Sequence, residues 1–377
     1  MIAIVITAYN RPAPLERLLK SLLKIRVDEK IPLIISIDNG GTDEVNKIAN
    51  SFEWPFGEKI VNIHKEKLGL VKHFIWTGDQ TKEYENILFL EDDLLVSPEV
   101  VDYTKQVIDF YKNDSRVAAA SLYNPIFNEA TGTRFYQIQD GFDAYFLQQP
   151  YWGHIWMRVK WAGFKEFLGS YVEKKEILPP NIASWKESFK KKFVQYLIET
   201  NKTVVTPRVS LVTNSGTGGL HSGDLYHYQS ELIIEKKKYR LPTLEESKAR
   251  YDSFEEIEPD ILKLYNPELS QYDFEVDING LRINYKSDYV LTSRPTQNAL
   301  FTYSSFMKPT ELSAILGVSS DKGLTFTKKS DIIKKKSHLA ENRYKDYLKN
   351  YYLGVYPTLY LIRDYIKILF KRLIGIK

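Results

Sequence analysis

The feature that most constrains this chain is a run of four apolar residues that leads directly into three adjacent acids. Residues 87–90 read Ile-Leu-Phe-Leu, and Glu91, Asp92 and Asp93 follow them. An unbroken apolar run of this length is typical of a strand that is buried on both faces, as in a parallel sheet. Neighbouring carboxylates repel one another and are costly at the end of a buried strand. Hard divalent cations compensate such charge, so the run predicts a metal site; the alternative is a solvated acidic turn.

The first 122 residues alternate between apolar, β-branched runs and segments with helical spacing. Strands are predicted over residues 2–6, 31–37, 59–63, 87–90 and 117–122, with helices between them. This β-α-β-α order is typical of a doubly wound α/β sheet with mostly parallel strands. Polar residues follow the first, second and fourth strands. We therefore expect them to meet in one crevice at the carboxyl ends of the strands.

Composition excludes several classes of protein. The chain has no cysteine, so neither a disulfide framework nor a thiolate metal site is available, which fits a cytoplasmic location. Apolar runs stay short of the roughly 20 residues that a membrane-spanning helix needs. The net charge of the chain is +4, and residues 328–377 contain thirteen Lys or Arg against four Asp or Glu. The remaining body is therefore acidic, which argues against nucleic acid as a partner.

The basic end of the chain predicts an amphipathic helix. From residue 357 onward, apolar residues recur at offsets of three and four, and basic residues recur on another face. Four internal basic residues argue against a bilayer span. A helix that lies in the membrane interface fits the pattern, so we expect peripheral contact with the inner face of the cell membrane through residues 351–377. The alternative is a helix packed on the protein's own body or in a dimer contact.

Several of these segments together resemble nucleotide-sugar glycosyltransferases of the GT-A fold. The segments are Ile4-Val-Ile-Thr-Ala-Tyr-Asn-Arg11, Ile37-Asp38, Lys72-His73 and, most specific of all, Leu90-Glu-Asp-Asp-Leu94. The chain is most similar to the inverting N-acetylglucosaminyltransferase I type and to bacterial polysaccharide glycosyltransferases. The resemblance implies a Rossmann-like, mostly parallel central sheet flanked by helices, here with a C-terminal helical extension.

The resemblance also implies roles for individual residues. Asp93 would ligate Mn²⁺ or Mg²⁺ at the donor diphosphate, Asp38 would contact the base, and His73 would lie near the phosphates. Asp92 would face the ribose or the sugar. The full set of expected donor-binding residues is Thr7, Tyr9, Asn10, Arg11, Asp38, His73, Glu91, Asp92 and His221.

An inverting transfer also needs a base on the acceptor hydroxyl, opposite the leaving group. In the enzymes that this chain resembles, an acid in a Trp-led segment is placed for this task. Here the segment reads Ser184-Trp-Lys-Glu-Ser188, which makes Glu187 the candidate, although Lys186 departs from the usual run of acids. The alternative role of Glu187 is structural, as the N3 residue of a capping box with Ser184 at the N-cap.

The resemblance covers roughly residues 1–223, and this coverage predicts the domain organisation. A β-hairpin is expected over residues 274–285, where alternating apolar residues flank an Asn-Gly turn. The predicted parts are a GT-A catalytic domain (1–223, with donor and metal binding in 1–125 and acceptor binding in 126–223), an accessory region (224–327) and a basic tail (328–377).

Together these features predict a metal-dependent, inverting glycosyltransferase. It would move a sugar from a nucleotide-sugar donor to a glycan or lipid-linked glycan acceptor in surface polysaccharide biosynthesis. One alternative is a nucleotidyltransferase, which also holds a metal with acids at strand ends. Such enzymes usually have a glycine-rich, basic phosphate loop after the first strand, which residues 7–11 lack. The second alternative is a non-catalytic glycan-binding protein with a degenerate GT-A site.

Overall fold

A computed structural model gives the fold of the chain and describes residues 1–214, 228–236, 238–321, 323–333, 362, 363 and 366. The chain divides into two compact units. The first unit contains Met1–Ile126, Gln137–Gln271 and Leu281–Asn284. The second contains Phe127–Tyr136, Tyr272–Gly280 and the chain from Tyr285 onward. The first unit thus extends well past residue 223, the predicted end of the catalytic domain.

The first unit alternates strands and helices through most of its length. Its strands are β1 (Ile2–Ala8), β2 (Leu33–Ile37), β3 (Lys59–Ile63), β4 (Asn86–Glu91), β5 (Leu94–Val96), β6 (Val117–Ser121), β7 (Ala144–Leu147), β8 (His154–Met157), β9 (Thr203–Pro207), β10 (Val212–Asn214) and β11 (Arg250–Tyr251). Its helices are α1 (Pro12–Leu22), α2 (Asp43–Ser51), α3 (Gly69–Asp79), α4 (Val100–Tyr111), α5 (Arg158–Gly169), α6 (Pro180–Ser184), α7 (Phe189–Glu199), α8 (Pro259–Tyr265) and α9 (Pro267–Ser270).

The main sheet has nine strands among the described residues, in the order β11-β7-β9-β6-β8-β4-β1-β2-β3. Strand β1 pairs in parallel with β2 and β4, and β2 pairs in parallel with β3. Strand β8 runs antiparallel between β4 and β6, and β7 runs antiparallel to β9. The sheet is therefore parallel in one half and mixed in the other. This confirms the predicted α/β class, with a mostly parallel sheet flanked by helices.

Alternate residues of the central strands are buried on opposite faces of the sheet. In β1, Ile4 and Ile6 pack in one apolar cluster with leucines of α1, whereas Ala3 and Val5 pack in another with aromatic residues of α5 and α7. The residues of β4 alternate in the same way, with Leu88 and Leu90 in the cluster on the α1 side. Since both faces are covered, the central positions of these strands are apolar on either side, as the unbroken runs predicted.

The second unit contains a four-stranded sheet in the order β12-β13-β15-β14. Its elements are β12 (Phe274–Asp277), β13 (Tyr289–Thr292), β14 (Phe301–Tyr303), α10 (Leu312–Ile315) and β15 (Leu324–Lys328). Strand β12 pairs in parallel with β13, and residues 281–285 are not a strand, so the predicted hairpin over residues 274–285 is wrong. A turn does form, with Gly280 at φ 65°. The segment Leu281–Asn284 that follows belongs to the first unit, where Arg282 forms an ion pair with Asp252.

Two predicted features lie outside the described residues. The first is His221, which is expected to bind the donor, and the second is residues 351–377 apart from residues 362, 363 and 366, so both stay predictions. In the part of the chain that the structure describes, no helix is long and apolar enough to cross a membrane.

Helices α3 and α5 approach each other closely at Gly78. A Cβ atom added to Gly78 would lie 2.0 Å from Cζ2 of Trp161, which is buried. The Trp161 Nε1 donates a hydrogen bond to Asp79 Oδ1 at 2.9 Å, and Lys165 pairs with the other oxygen of that carboxylate at 3.0 Å. The absence of a side chain at Gly78 therefore allows α3 to dock tightly on α5.

We expect Gly78→Ala to lower the free energy of unfolding by about 1–3 kcal/mol, because the added methyl overpacks this contact. Gly169→Ala is the matched control, since a Cβ at this helical glycine meets no atom within 4 Å. Alanine is the better helix former, so the control should keep or slightly raise stability. Chemical denaturation of the three proteins measures the difference, and equal stability of the two variants would contradict the packing argument.

Candidate functional site

The three adjacent acids lie at the carboxyl end of β4, beside the segment that follows β1. Glu91 is the last residue of β4 and is paired in register with Thr7 of β1, which is buried. The next residues after β1 include Tyr9, which is half-buried and accepts a hydrogen bond from Lys67 Nζ at 3.2 Å, and Asn10, which is exposed. Parallel pairing of β1 with β4 therefore brings two of the predicted donor-binding segments together.

A single guanidinium pairs with two of the acids. The Arg11 Nη1 donates to Asp93 Oδ2 at 2.9 Å, and the Nη2 of the same residue donates to Asp92 Oδ1. Arg11 directly precedes α1, where Pro12 occupies the first position of the helix. The chain thus supplies part of the counter-charge that the acids require. The sequence analysis assigns Arg11 to donor binding and misses these ion pairs, which depend on the adjacency of β1 and β4.

Burial raises the pKa of two of the acids. The pKa of Glu91 rises to about 8, first through burial and then through the neighbouring carboxylates of Asp93 and Asp92. Burial raises the pKa of Asp92 to about 6, against the opposing influence of Arg11 and the backbone N–H of Tyr9. One cation is therefore not enough to keep all three acids fully ionised at neutral pH, and a second positive charge at this place would favour their charged forms.

Asp93 is the acid that best fits a metal ion. Its Oδ1 is buried and accepts no hydrogen bond, whereas Asp92 accepts bonds from both Arg11 and the backbone of Tyr9. A buried carboxylate oxygen without a donor is costly, and a hard divalent cation satisfies it. Groups of three or more potential His, Cys, Asp or Glu ligands do not occur among the described residues. The fit is therefore to a cation that takes most of its other ligands from phosphate oxygens and water.

Asp38, the predicted base contact, joins the end of β2 to the start of α3. Its Oδ1 accepts hydrogen bonds from the backbone N–H groups of Leu68 at 2.7 Å and Asn39 at 2.9 Å, and its Oδ2 accepts from Gly69 N–H at 2.9 Å. Although burial opposes it, these donors lower the pKa of Asp38. The carboxylate thus caps the first turn of α3, and the predicted base contact stays a prediction.

His73, predicted to lie near the phosphates, is on the buried face of α3. Its Nε2 lies 2.7 Å from the hydroxyl of Ser36 on β2, and the Nε2 of His64 lies 2.9 Å from the same hydroxyl. Burial, and then the nearby His64, lower the pKa of His73 to about 4. The imidazole is therefore neutral at physiological pH. Neither Ser36 nor His64 is found by sequence analysis, because strand pairing brings together residues that are distant along the chain.

We expect the buried His73 to make stability depend on pH. The unfolded chain binds a proton at this histidine near pH 6.5, whereas the folded protein binds it only near pH 4. The unfolding free energy should therefore fall as the pH falls from about 6.5 to about 4, by up to about 3 kcal/mol. Comparing chemical denaturation of the wild type with that of His73→Gln isolates this contribution, because the titration of the acids is common to both proteins. Parallel pH profiles would contradict the assignment.

Glu187, the candidate base, lies in the exposed loop between α6 and α7. Its alternative role in a capping box with Ser184 is wrong, because α6 begins early at Pro180 and has already ended at Ser184. The true N-cap of α7 is Ser188, whose side chain accepts from Lys191 N–H at 3.4 Å. Glu187 is therefore not needed to cap a helix.

The loop that contains Glu187 is anchored near the carboxyl end of β4. Phe189, two residues further on, packs 5.1 Å from Phe74 and 6.3 Å from His154, measured between ring centroids. His154 in turn stacks on Phe89 of β4. The ammonium of Lys190 lies 3.9 Å from the ring centre of Tyr151, in the turn before β8. These contacts hold the start of α7 beside the turn that precedes β8.

Comparison with known proteins gives one family match. Residues 3–168 match the family described as "Glycosyl transferase family 2". An Arabidopsis thaliana protein, "Alpha-1,3-mannosyl-glycoprotein 2-beta-N-acetylglucosaminyltransferase", is 29% identical over 139 residues, which cover 32% of this chain and 31% of that protein. The chain therefore spans about a third of the length of this relative.

Two solved structures are also similar. The first is "S. aureus TarS 1-349 in complex with UDP-GlcNAc", with a TM-score of 0.39, 15% identity and coverage of 58% of this chain and 60% of that one. The second is "Mannosyltransferase PcManGT from Pyrobaculum calidifontis in complex with GDP-Man and Mn2+", with a TM-score of 0.36, 11% identity and coverage of 55% and 54%. Similarity at this level carries no argument about the donor or the metal of this chain.

Proposed function

Residues 3–168 of this chain form a glycosyltransferase family 2 domain, and we propose on this premise that the protein is a metal-dependent glycosyltransferase that uses a nucleotide-sugar donor. The observation that carries the proposal is the acid group at the end of β4, where Asp93 presents a buried oxygen with no hydrogen-bond donor. A site with surplus buried negative charge suits a ligand that arrives with its own cation, as a nucleoside diphosphate does.

The donor would bind across the carboxyl ends of β1, β2 and β4. Asp93 would hold Mn²⁺ or Mg²⁺, which when bound supplies Lewis-acid stabilisation of the charge that develops on the diphosphate. Arg11, already in contact with Asp93, is placed to donate to the same phosphates. Tyr9 and the turn after Asp38 lie next to each other, because a Cβ on Gly41 would be 2.0 Å from the Tyr9 carbonyl oxygen. Tyr9 and this turn form one side of the crevice, where we expect the nucleoside to bind.

The transfer is proposed to invert the configuration of the sugar. The acceptor hydroxyl attacks the anomeric carbon from the side opposite the leaving diphosphate, and its proton passes to a general base. Glu187 is our candidate, because its loop is exposed and is anchored through Phe189 beside the end of β4. Its carboxylate has no capping function that would compete with this role.

A glycan or lipid-linked glycan is the acceptor class that we propose, with surface polysaccharide assembly as the setting. The name of the Arabidopsis relative, which describes transfer to a glycoprotein glycan, supports a glycan acceptor. The family match argues against a nucleotidyltransferase. The intact acid group argues against a degenerate, purely glycan-binding site, since such a role does not require three adjacent carboxylates.

The experiment that tests the function is a thermal-shift screen of nucleotide sugars with and without Mn²⁺, followed by an assay for nucleoside diphosphate release. A ligand that binds only the folded state raises its stability as its concentration exceeds the dissociation constant. We expect a Mn²⁺-dependent rise in melting temperature with one nucleotide sugar. No shift with any donor, or full activity in EDTA, would contradict the proposal.

We expect Asp93→Asn to abolish both transfer and Mn²⁺-dependent nucleotide binding, because the amide cannot supply the anionic oxygen ligand that a hard cation prefers. The fold should survive, since asparagine has nearly the same shape as aspartate and Asp93 follows the end of β4. Asp109→Asn, which changes an exposed acid on α4, is the matched control and should retain both properties. Isothermal titration and product assays compare the variants, and retention of Mn²⁺-dependent binding by Asp93→Asn would contradict the metal assignment.

We expect Glu187→Gln to lower turnover by about 10²-fold or more while donor binding is kept, which is the scale of losing a general base. Glu176→Gln, at another exposed glutamate of the same region, is the matched control and should leave turnover unchanged. The readouts are the initial rate at saturating donor and the dissociation constant of the donor. A variant that binds donor and turns over normally would rule out Glu187 as the base.

A further inference from the structure

Arg11 already pairs with the carboxylate that would hold an incoming cation. The guanidinium bridges both acids, with Nη1 on Asp93 Oδ2 at 2.9 Å and Nη2 on Asp92 Oδ1. The side chain of Arg11 is 26% exposed, whereas the side chains of Asp92 and Asp93 are 4% and 13% exposed. The pair is thus largely sheltered, so the charges interact more strongly than they would on an open surface.

The two carboxylates are not held equally by the chain. Asp92 is also bound by the backbone N–H of Tyr9, whereas the second oxygen of Asp93 has no hydrogen-bond partner. A divalent cation at Asp93 would compete with the guanidinium for the same carboxylate, because two cations side by side repel each other. Of the two contacts, the Arg11–Asp93 contact is the one that such a cation would displace.

The backbone on both sides of Arg11 is restricted, so displacement of Arg11 from Asp93 would involve its side chain. Tyr9 lies against Gly41 so closely that a Cβ on the glycine would be 2.0 Å from the Tyr9 carbonyl oxygen. On the other side of Arg11, Pro12 begins α1, and its ring restricts the backbone. The exchange is therefore a rotation of the side chain about its anchored end, not a movement of the loop.

We propose that Arg11 is an exchangeable counter-ion, which releases Asp93 to the incoming divalent cation, keeps its bond to Asp92, and turns the freed Nη1 to a phosphate oxygen of the donor. The inference rests on the proposed function, since it takes a cation and a diphosphate as the ligands. It assigns Arg11 two sequential partners, so that the buried acids are neutralised both before and after the donor binds.

The test is a titration with Mn²⁺ alone, which needs neither a donor nor an acceptor. We expect Arg11→Gln to bind Mn²⁺ about 10-fold more tightly than the wild type, because the competing cation is gone; couplings between sites are commonly of this size. Arg26→Gln is the matched control, since it removes an arginine that pairs with the buried Glu99 elsewhere in the same unit. Its affinity for Mn²⁺ should equal that of the wild type.

A second titration uses inorganic pyrophosphate as the probe of the diphosphate site. Pyrophosphate should strengthen Mn²⁺ binding in the wild type, and this gain should fall about 10-fold or more in Arg11→Gln. Arg11→Lys keeps the positive charge but lacks the two-pronged guanidinium, so its gain in Mn²⁺ affinity should lie between those of the wild type and Arg11→Gln. Thermal unfolding of each variant shows that it is folded. Equal or weaker binding of Mn²⁺ alone by Arg11→Gln, or no binding by either protein, overturns the proposal. If the Mn²⁺ titrations give the expected results but the wild-type protein transfers no sugar, the proposed function alone is overturned.

Discussion

Burial of strand β4 on both faces is the constraint from which the rest of the site follows. Its apolar residues divide between two clusters, and helices close each one. Its polar residues lie at the two ends of the strand, and Glu91 begins the acid group at the carboxyl end. The charge placed there cannot spread into solvent, and this raises the pKa of Glu91 and Asp92. The site is thus charged, sheltered and attached to a strand that is packed on both faces.

Two further contacts set the shape of the crevice around those acids. Asp38 ties the end of β2 to the first turn of α3, using both carboxylate oxygens. At the other end of the same helix, Gly78 admits the ring of Trp161. Helix α3 is therefore fixed at both termini, and His73, midway along it, is held against Ser36. The polar residues at this helix therefore have a structural function in positioning the site.

The electrostatics of the site depend on which positive groups balance the charge of its acids. Before any ligand arrives, one guanidinium serves two acids, and an oxygen of Asp93 remains without a donor. This arrangement holds the folded state together while leaving a place for a stronger cation. Electrostatic preorganisation of this kind needs little reorganisation when charge develops on a leaving group. Under the proposed function, the charge of these acids would be balanced by the metal that binds with the nucleotide.

The amino-acid sequence by itself determined the α/β class, the first strands and helices, and the place of the acids, because apolar periodicity and strand ends are local signals. It also placed Arg11 and Asp93 in one site, through the resemblance of their segments to known enzymes. Only the tertiary structure decided the partners: Arg11 on two acids, Asp38 on the start of α3, and His64 with His73 on Ser36. It also turned the expected hairpin at Asn279-Gly280 into a parallel pairing of β12 with β13. The physical reason is that these contacts join residues far apart in the chain, so strand order and burial select them, and local propensity carries no record of either.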